Sequence, residues 1–198
     1  MNARKTMALA LLGFLLPAAL AAAQDASQAV RLAVLPFSWE SCTFCTDRAA
    51  SITNMVEEAF FRLGRYRLLD RRALIAVLQE QGLSSAQLAN PQTAAAAGKL
   101  AGAQVLILGS VDRSSSDFLG YFFQVPLYQV TIALTARAVR TDDAEILAIA
   151  RSTRANRGTL EGGLATRGLP LFDYTAQQAV QDLVRQLDEQ LQGRVHSR

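Results

Sequence analysis

Residues 128–152, YQVTIALTARAVRTDDAEILAIARS, decide the fold. From Tyr128 to Val139 apolar and polar side chains alternate. Val130, Ile132, Leu134, Ala136 and Ala138 fall on one face, with Thr131, Thr135 and Arg137 on the other. A period of two marks a half-buried strand. Thr141-Asp142-Asp143 supplies turn residues, and Glu145 to Ser152 reads as the returning partner strand. The second half of the chain therefore holds an antiparallel pair.

The first half reads differently. Val30 to Phe37, VRLAVLPF, is a short apolar run of the buried-strand type. From Asp47 the pattern turns helical, with Ile52, Met55, Val56, Ala59, Phe60 and Leu63 on one stripe and Gly64 as the stop. Tyr66 to Leu69 is a brief second strand. Asp70 caps a helix through Gln81 that turns Leu74, Val77 and Leu78 inward and stops at Gly82. Asn90-Pro91 opens a small Ala-rich helix to about Leu100. Val105 to Val111 is a third buried strand, in which Gly109 marks a bend or a close backbone approach. After the hairpin and a Gly-containing loop, Thr175-x-x-Gln178 resembles a capping box. The helix it opens carries Ala176, Val180, Leu183, Val184, Leu187 and Leu191 inward and ends at Gly193. The order β-α-β-α-(α)-β-β-β-α predicts an α/β protein of the α+β mixed-sheet kind, with helices packed on a mixed parallel/antiparallel sheet.

The N-terminus predicts export. Arg4 and Lys5 precede an uncharged apolar run from Met7 to Leu20, followed by Ala21-Ala22-Ala23. That is the layout of a signal peptide over residues 1–23, too short for a confident spanning helix. No cysteine lies near the cleavage point, so lipidation there is not expected. Without residues 1–23, Lys+Arg falls from 20 to 18 against 17 Asp+Glu, a formal charge of +1. Nucleic acid is not an expected partner at that charge, because the arginines are scattered rather than striped.

The usual catalytic constellations are missing from the sequence. The only histidine, His196, sits in the polar C-terminal tail, so neither a Ser-His-Asp nor a Cys-His relay has a base. Two cysteines and that histidine do not make up the four ligands of a zinc site. Neither a metal nor a cofactor is expected, and Gly162-Gly163 and Gly168 do not follow a strand as a phosphate-binding loop would. Glu57-Glu58 read as a solvated face, and Arg71-Arg72 as surface charges in a helix's first turn with a docking role as the alternative.

Two stretches stand out. FLGYFFQVPLY (118–128) packs Phe118, Tyr121, Phe122 and Phe123 into one short segment. It reads either as a core-covering piece or as an exposed patch for a partner or a membrane edge. SWESCTFCTD (38–47) carries Cys42 and Cys45, the only cysteines. In an exported protein a Cys42–Cys45 disulfide pinning the loop is the leading reading. A redox-active pair at a helix start, and free or intermolecularly bridged thiols, are its alternatives.

AVLPF (33–37), LGRYRLLDRRAL (63–74), LQEQGL (78–83), AGAQVLILGSV (101–111) and TARAVRTDDAEILA (135–148) occur in this order. Together they resemble the curli production assembly/transport family of bacterial envelope proteins. Its relatives include curli-secretion channels, flagellar envelope lipoproteins and outer-membrane activators of penicillin-binding proteins. The resemblance implies one curli-assembly-type α/β domain over residues 24–198, with no enzymatic activity. It further implies a periplasmic or outer-membrane-associated protein acting by protein–protein interaction in assembly or secretion of surface polymers. Unidentified envelope proteins are the expected partners, and homo-oligomer formation is left open. The alternatives are a periplasmic thiol–disulfide oxidoreductase using Cys42-x-x-Cys45 and an activator of cell-wall synthases.

The chain departs from the channel members in three ways. It lacks their lipid-bearing cysteine, and their Thr-Gly-Glu turn appears as Asp143-Ala144-Glu145. It also lacks a convincing membrane hairpin, since a spanning strand needs about 9–11 residues with apolar alternation. The 17 residues between Val111 and Gln129 begin with the polar DRSSSD, and Ser152 to Phe172 contains Arg154, Arg157 and Arg167. The expectation is a relative that forms no pore, and no pore-lining residue is transferred to the 38–47 loop.

Overall fold

The β1 strand (Val30–Val34) buries its last three residues, and β3 (Val105–Phe122) runs parallel beside it with Leu32, Ala33 and Val34 opposite Val105, Leu106 and Ile107. Helix α1 (Thr46–Leu63) crosses over between β1 and the short β2 (Tyr66–Leu68). Next come α2 (Arg71–Glu80) and α3 (Pro91–Leu100) before β3, then β4 (Val125–Arg140), β5 (Ile146–Gly158) and α4 (Leu171–Val195). The sheet order is β2-β1-β3-β4-β5, with both β3–β4 and β4–β5 antiparallel. The computed structural model describes residues 29–39, 46–80, 82, 87, 90–163 and 166–195. The chain divides into two compact units, residues 1–30 and 31–198; of the first only Ala29 and Val30 are described. The predicted signal peptide, both cysteines and His196 lie outside the described residues.

Helices cover both faces of the sheet, as a mixed sheet with crossover helices requires. Ile52, Val56 and Phe60 on α1 and Leu183, Leu187 and Leu191 on α4 are fully buried, or nearly so, from the stripes read in the sequence. On the other face Leu74 and Leu78 of α2 and the alanines of α3 pack against Leu106, Leu108 and Val139. Asn90 caps α3 by accepting from the Gln92 N–H at 2.9 Å, and Asp70 accepts from the Arg72 N–H at 2.8 Å.

Three local expectations are corrected. Helix α4 begins at Leu171, four residues before the expected capping box, because Pro170 supplies the first accepting carbonyl, to the Tyr174 N–H. Thr175 is thus inside the helix, fully buried, and its hydroxyl donates back to the Leu171 carbonyl at 2.7 Å. Gly193 does not end the helix, which continues to Val195. The third correction is larger: β3 does not stop at Val111 but continues through the serines to Phe122, so residues 111–129 form a hairpin. No apolar alternation announces it, because no residue of β3 beyond Val111 is fully buried and the pairing with β4 is carried by the backbone.

The tight turn between β4 and β5 forms without glycine. Ala144 takes φ 59°, while the Asp143 carboxylate accepts from the Glu145 N–H at 3.1 Å and Arg140 bridges Asp143 and Glu145. A left-handed L-residue costs about 1–2 kcal/mol. Ala144→Gly should therefore raise stability by about 0.5–1 kcal/mol, read as a higher urea midpoint at unchanged m.

Candidate functional site: the protruding meander

Past Val111, β3 leaves β1 behind, and among the described residues its only strand partner from there on is β4. The three strands β3, β4 and β5 run on as a meander. Irregular register at Asp112 and Leu119 puts two bulges in its first strand, which sharpen its twist. One face of its base is held by α4. Ser152 and Arg154 both bind Asp182, at 3.1 and 3.0 Å, and the Asn156 amide donates to Gln178 at 3.1 Å. A hydrogen bond from Arg185, with help from Ser152 and Arg154, holds the Asp182 carboxyl below its ordinary range.

The opposite face carries two polar rows. Asp117, Gln129 and Arg157 stand in register across β3, β4 and β5, and Arg157 Nε donates to Gln129 Oε1 at 2.9 Å. In the second row Ser110, Thr135 and Arg151 are in register. Ser110 and Thr135 both donate to the Asp112 carboxylate, and Arg151 Nε donates to Thr135 Oγ1 at 3.2 Å. In each row the carboxylate lies on β3 and the guanidinium on β5, and all four charged residues are exposed.

The edge of β5 is covered only in part. Gln190 binds both the N–H and the carbonyl of Ile149, at 3.1 and 2.9 Å, and the Gln186 amide donates to the Arg151 carbonyl at 3.0 Å. These two glutamines take the place of a neighbouring strand. Among the described residues nothing comparable covers the edge from Thr153 to Arg157.

The aromatic segment is the tip of the hairpin. Phe118, Tyr121, Phe122 and Phe123 are 53%, 72%, 62% and 86% exposed, so the segment does not cover the core. Phe118 stacks edge-on against Tyr121 and Tyr128 at 5.2 and 5.5 Å, and Phe122 against Phe123 at 4.6 Å. Phe123 and Gln124 form the two-residue loop with φ 48° and 64°. Both positive values belong to the turn that matches strand twist, where Asn-Gly is the usual choice. A phenylalanine held there stores strain at the point of greatest exposure.

Elsewhere the polar groups serve packing. Burial raises the Glu57 carboxyl, while Arg71, 3.7 Å away, opposes that shift. Burial and a hydrogen bond to Asp188 push the Tyr66 phenol well up. Among the described residues no group of three or more His, Cys, Asp or Glu is placed to hold a metal, and no helix is long and apolar enough to cross a membrane. The aromatic cluster was legible as composition. The two polar rows were not, although counting outward from the 141–145 turn pairs Thr135 with Arg151.

A mixed five-stranded sheet with helices on both faces, extended on one side into a meander whose base α4 holds on one face, defines an α/β domain that presents strand edges and a hairpin tip. The chain belongs to the family of the curli production assembly/transport component CsgG, which matches residues 18–161. Its fold is similar to that of protein XCC0632 from Xanthomonas campestris, with TM-score 0.51 and 15% identity over 85% of this chain and 88% of that one. It is also similar to lipoprotein GNA1162 from Neisseria meningitidis, with TM-score 0.50 and 12% identity over 65% of this chain and 84% of that one. At these identities the likeness is one of fold. No curated protein sequence matches the chain.

Proposed function

We propose that this chain is a non-enzymatic, exported envelope protein of the assembly/transport type, acting by protein–protein association in the assembly or secretion of surface polymers. In this reading residues 1–23 direct export and residues 24–198 act as one domain in the periplasm or at the outer membrane. One observation carries it: beyond Val111 on β3 and Arg151 on β5 the outer edges of the meander are open among the described residues, and its polar rows put Asp112 and Asp117 on β3 against Arg151 and Arg157 on β5.

A second copy of the chain fits these edges. Both β3 and β5 run antiparallel to β4, so they are parallel to each other, and β5 of one copy can add to β3 of the next without reversing direction. Joined without stagger, the row Asp117–Gln129–Arg157 continues into Asp117 of the neighbour. Such a contact is head-to-tail, so it repeats into a ring or a filament. Backbone pairing supplies affinity, and the charges fix register and exclude antiparallel docking.

Light scattering on the protein at rising concentration tests the proposal. The wild type should assemble, and Asp117→Arg or Arg157→Asp should each weaken assembly by about tenfold or more. The double variant, which exchanges the charges, should recover most of it. A wild type that stays monomeric to about 100 times a micromolar Kd, or a double variant no better than the singles, sinks the idea.

A further inference from the structure

We propose that the hairpin tip is a lipid-interface anchor, which dips into one leaflet of a bilayer without spanning it. The residues from Phe118 to Tyr128 carry no charge, and Gln124 is the most polar side chain among them. The cross-strand register places Phe118, Tyr121, Pro126 and Tyr128 on one face and Phe122, Val125 and Leu127 on the other. The tip is therefore apolar on both faces. A protein surface covers one face of a projecting hairpin and leaves the other in water, whereas hydrocarbon surrounds both. Tyr121 and Tyr128 add phenol groups suited to the headgroup level.

Length decides between dipping and spanning. From Phe118 to Phe123 the strand advances roughly 16 Å at about 3.3 Å per residue. A hydrocarbon core is about 30 Å thick, so the tip cannot cross it. It does reach the depth of roughly 5–10 Å at which interfacial segments rest. Directly behind it stands the row Asp117–Gln129–Arg157, whose opposite charges cancel and mark the depth at which insertion stops. Attachment should then depend on apolar contact and hardly at all on anionic lipid. The inference does not rest on self-association.

Residues 31–198 form a compact unit, so the chain from Gln24 onward is the form to use. Sedimentation with phosphatidylcholine vesicles should show binding that persists at high salt and changes little when phosphatidylglycerol is added. Phe122→Ser with Phe123→Ser should weaken it on the order of 100-fold, with unchanged circular dichroism and unchanged mass by light scattering. Phe123→Trp in a Trp39→Phe background should shift its emission to the blue on vesicles. Quenchers near the headgroups should then outperform those near the chain ends.

Four outcomes overturn the proposal: no binding to any vesicle, binding undiminished in the double serine variant, binding confined to anionic vesicles and lost in salt, or stronger quenching from the chain ends. The double serine variant should keep the wild-type mass by light scattering while losing its vesicle binding, so failure of the edge contact and failure of the tip are read separately.

Discussion

Replacing Phe60 with alanine is expected to cost about 3–5 kcal/mol of folding stability. The ring is fully buried, on the α1 stripe with the equally buried Ile52 and Val56. It meets Tyr66 edge-on, with ring centroids 5.5 Å apart. Tyr66 in turn donates its hydroxyl to Asp188 on α4 at 2.7 Å, and Asp188 also accepts from Arg65 at 3.2 Å and Gln192 at 2.8 Å. Losing the ring leaves a cavity and also frees the tyrosine that satisfies a buried carboxylate. Total stability for a domain of this size is about 5–15 kcal/mol, so the change removes a large share of it. Phe60→Leu keeps most of the volume and should cost less than about 1.5 kcal/mol. Urea unfolding at constant m checks both values. A loss below about 1 kcal/mol for the alanine variant would show that Phe60 does not sit at the centre of the α1–β2–α4 contact.

This centre was legible from the sequence because a helix stripe needs only its own period. Ile52, Val56 and Phe60, and on α4 Leu183, Leu187 and Leu191, were readable without knowing what they pack against. The same holds for the alternation of β4 and for the Asn90 cap. The misses have a common cause: each depends on a contact that the residue's own sequence pattern does not announce. The serines of β3 join a strand only because β4 offers backbone partners. Thr175 resembles a cap until Pro170 is seen to supply the earlier carbonyl. Ala144 tolerates its left-handed conformation because Asp143 and Arg140 close the turn around it. The candidate site divides in the same way. Aromatic composition marks the tip, whereas the separation of acid on β3 from arginine on β5 emerges only once register is fixed.

Gly109 is the position where local and distant determinants meet, and Gly109→Val is expected to cost about 3 kcal/mol. A Cβ placed there would lie 2.2 Å from Phe37 Cζ and 2.3 Å from Cε1. Phe37 has little freedom to yield. It is buried, its N–H donates to Thr53 Oγ1 at 3.0 Å, and that hydroxyl donates to the Ala49 carbonyl at 2.8 Å. The next residue is held as well. The Ser38 N–H donates to the Gly109 carbonyl at 3.0 Å, and the Val111 N–H donates to the Ser38 carbonyl at 2.8 Å. The ring thus lies across the glycine at the last point where β1's extension supports β3. Beyond it β3 pairs only with β4 among the described residues. Phe37→Leu should accommodate part of the added side chain, so the double variant should be more stable than the two single losses sum to, by about 1–3 kcal/mol. If the edges of the meander are the assembly surface, Gly109→Val should also weaken assembly under conditions where the chain remains folded, because β3 would leave the body at a shifted angle. Strict additivity of the two substitutions in urea unfolding would mean that the ring does not close over Gly109.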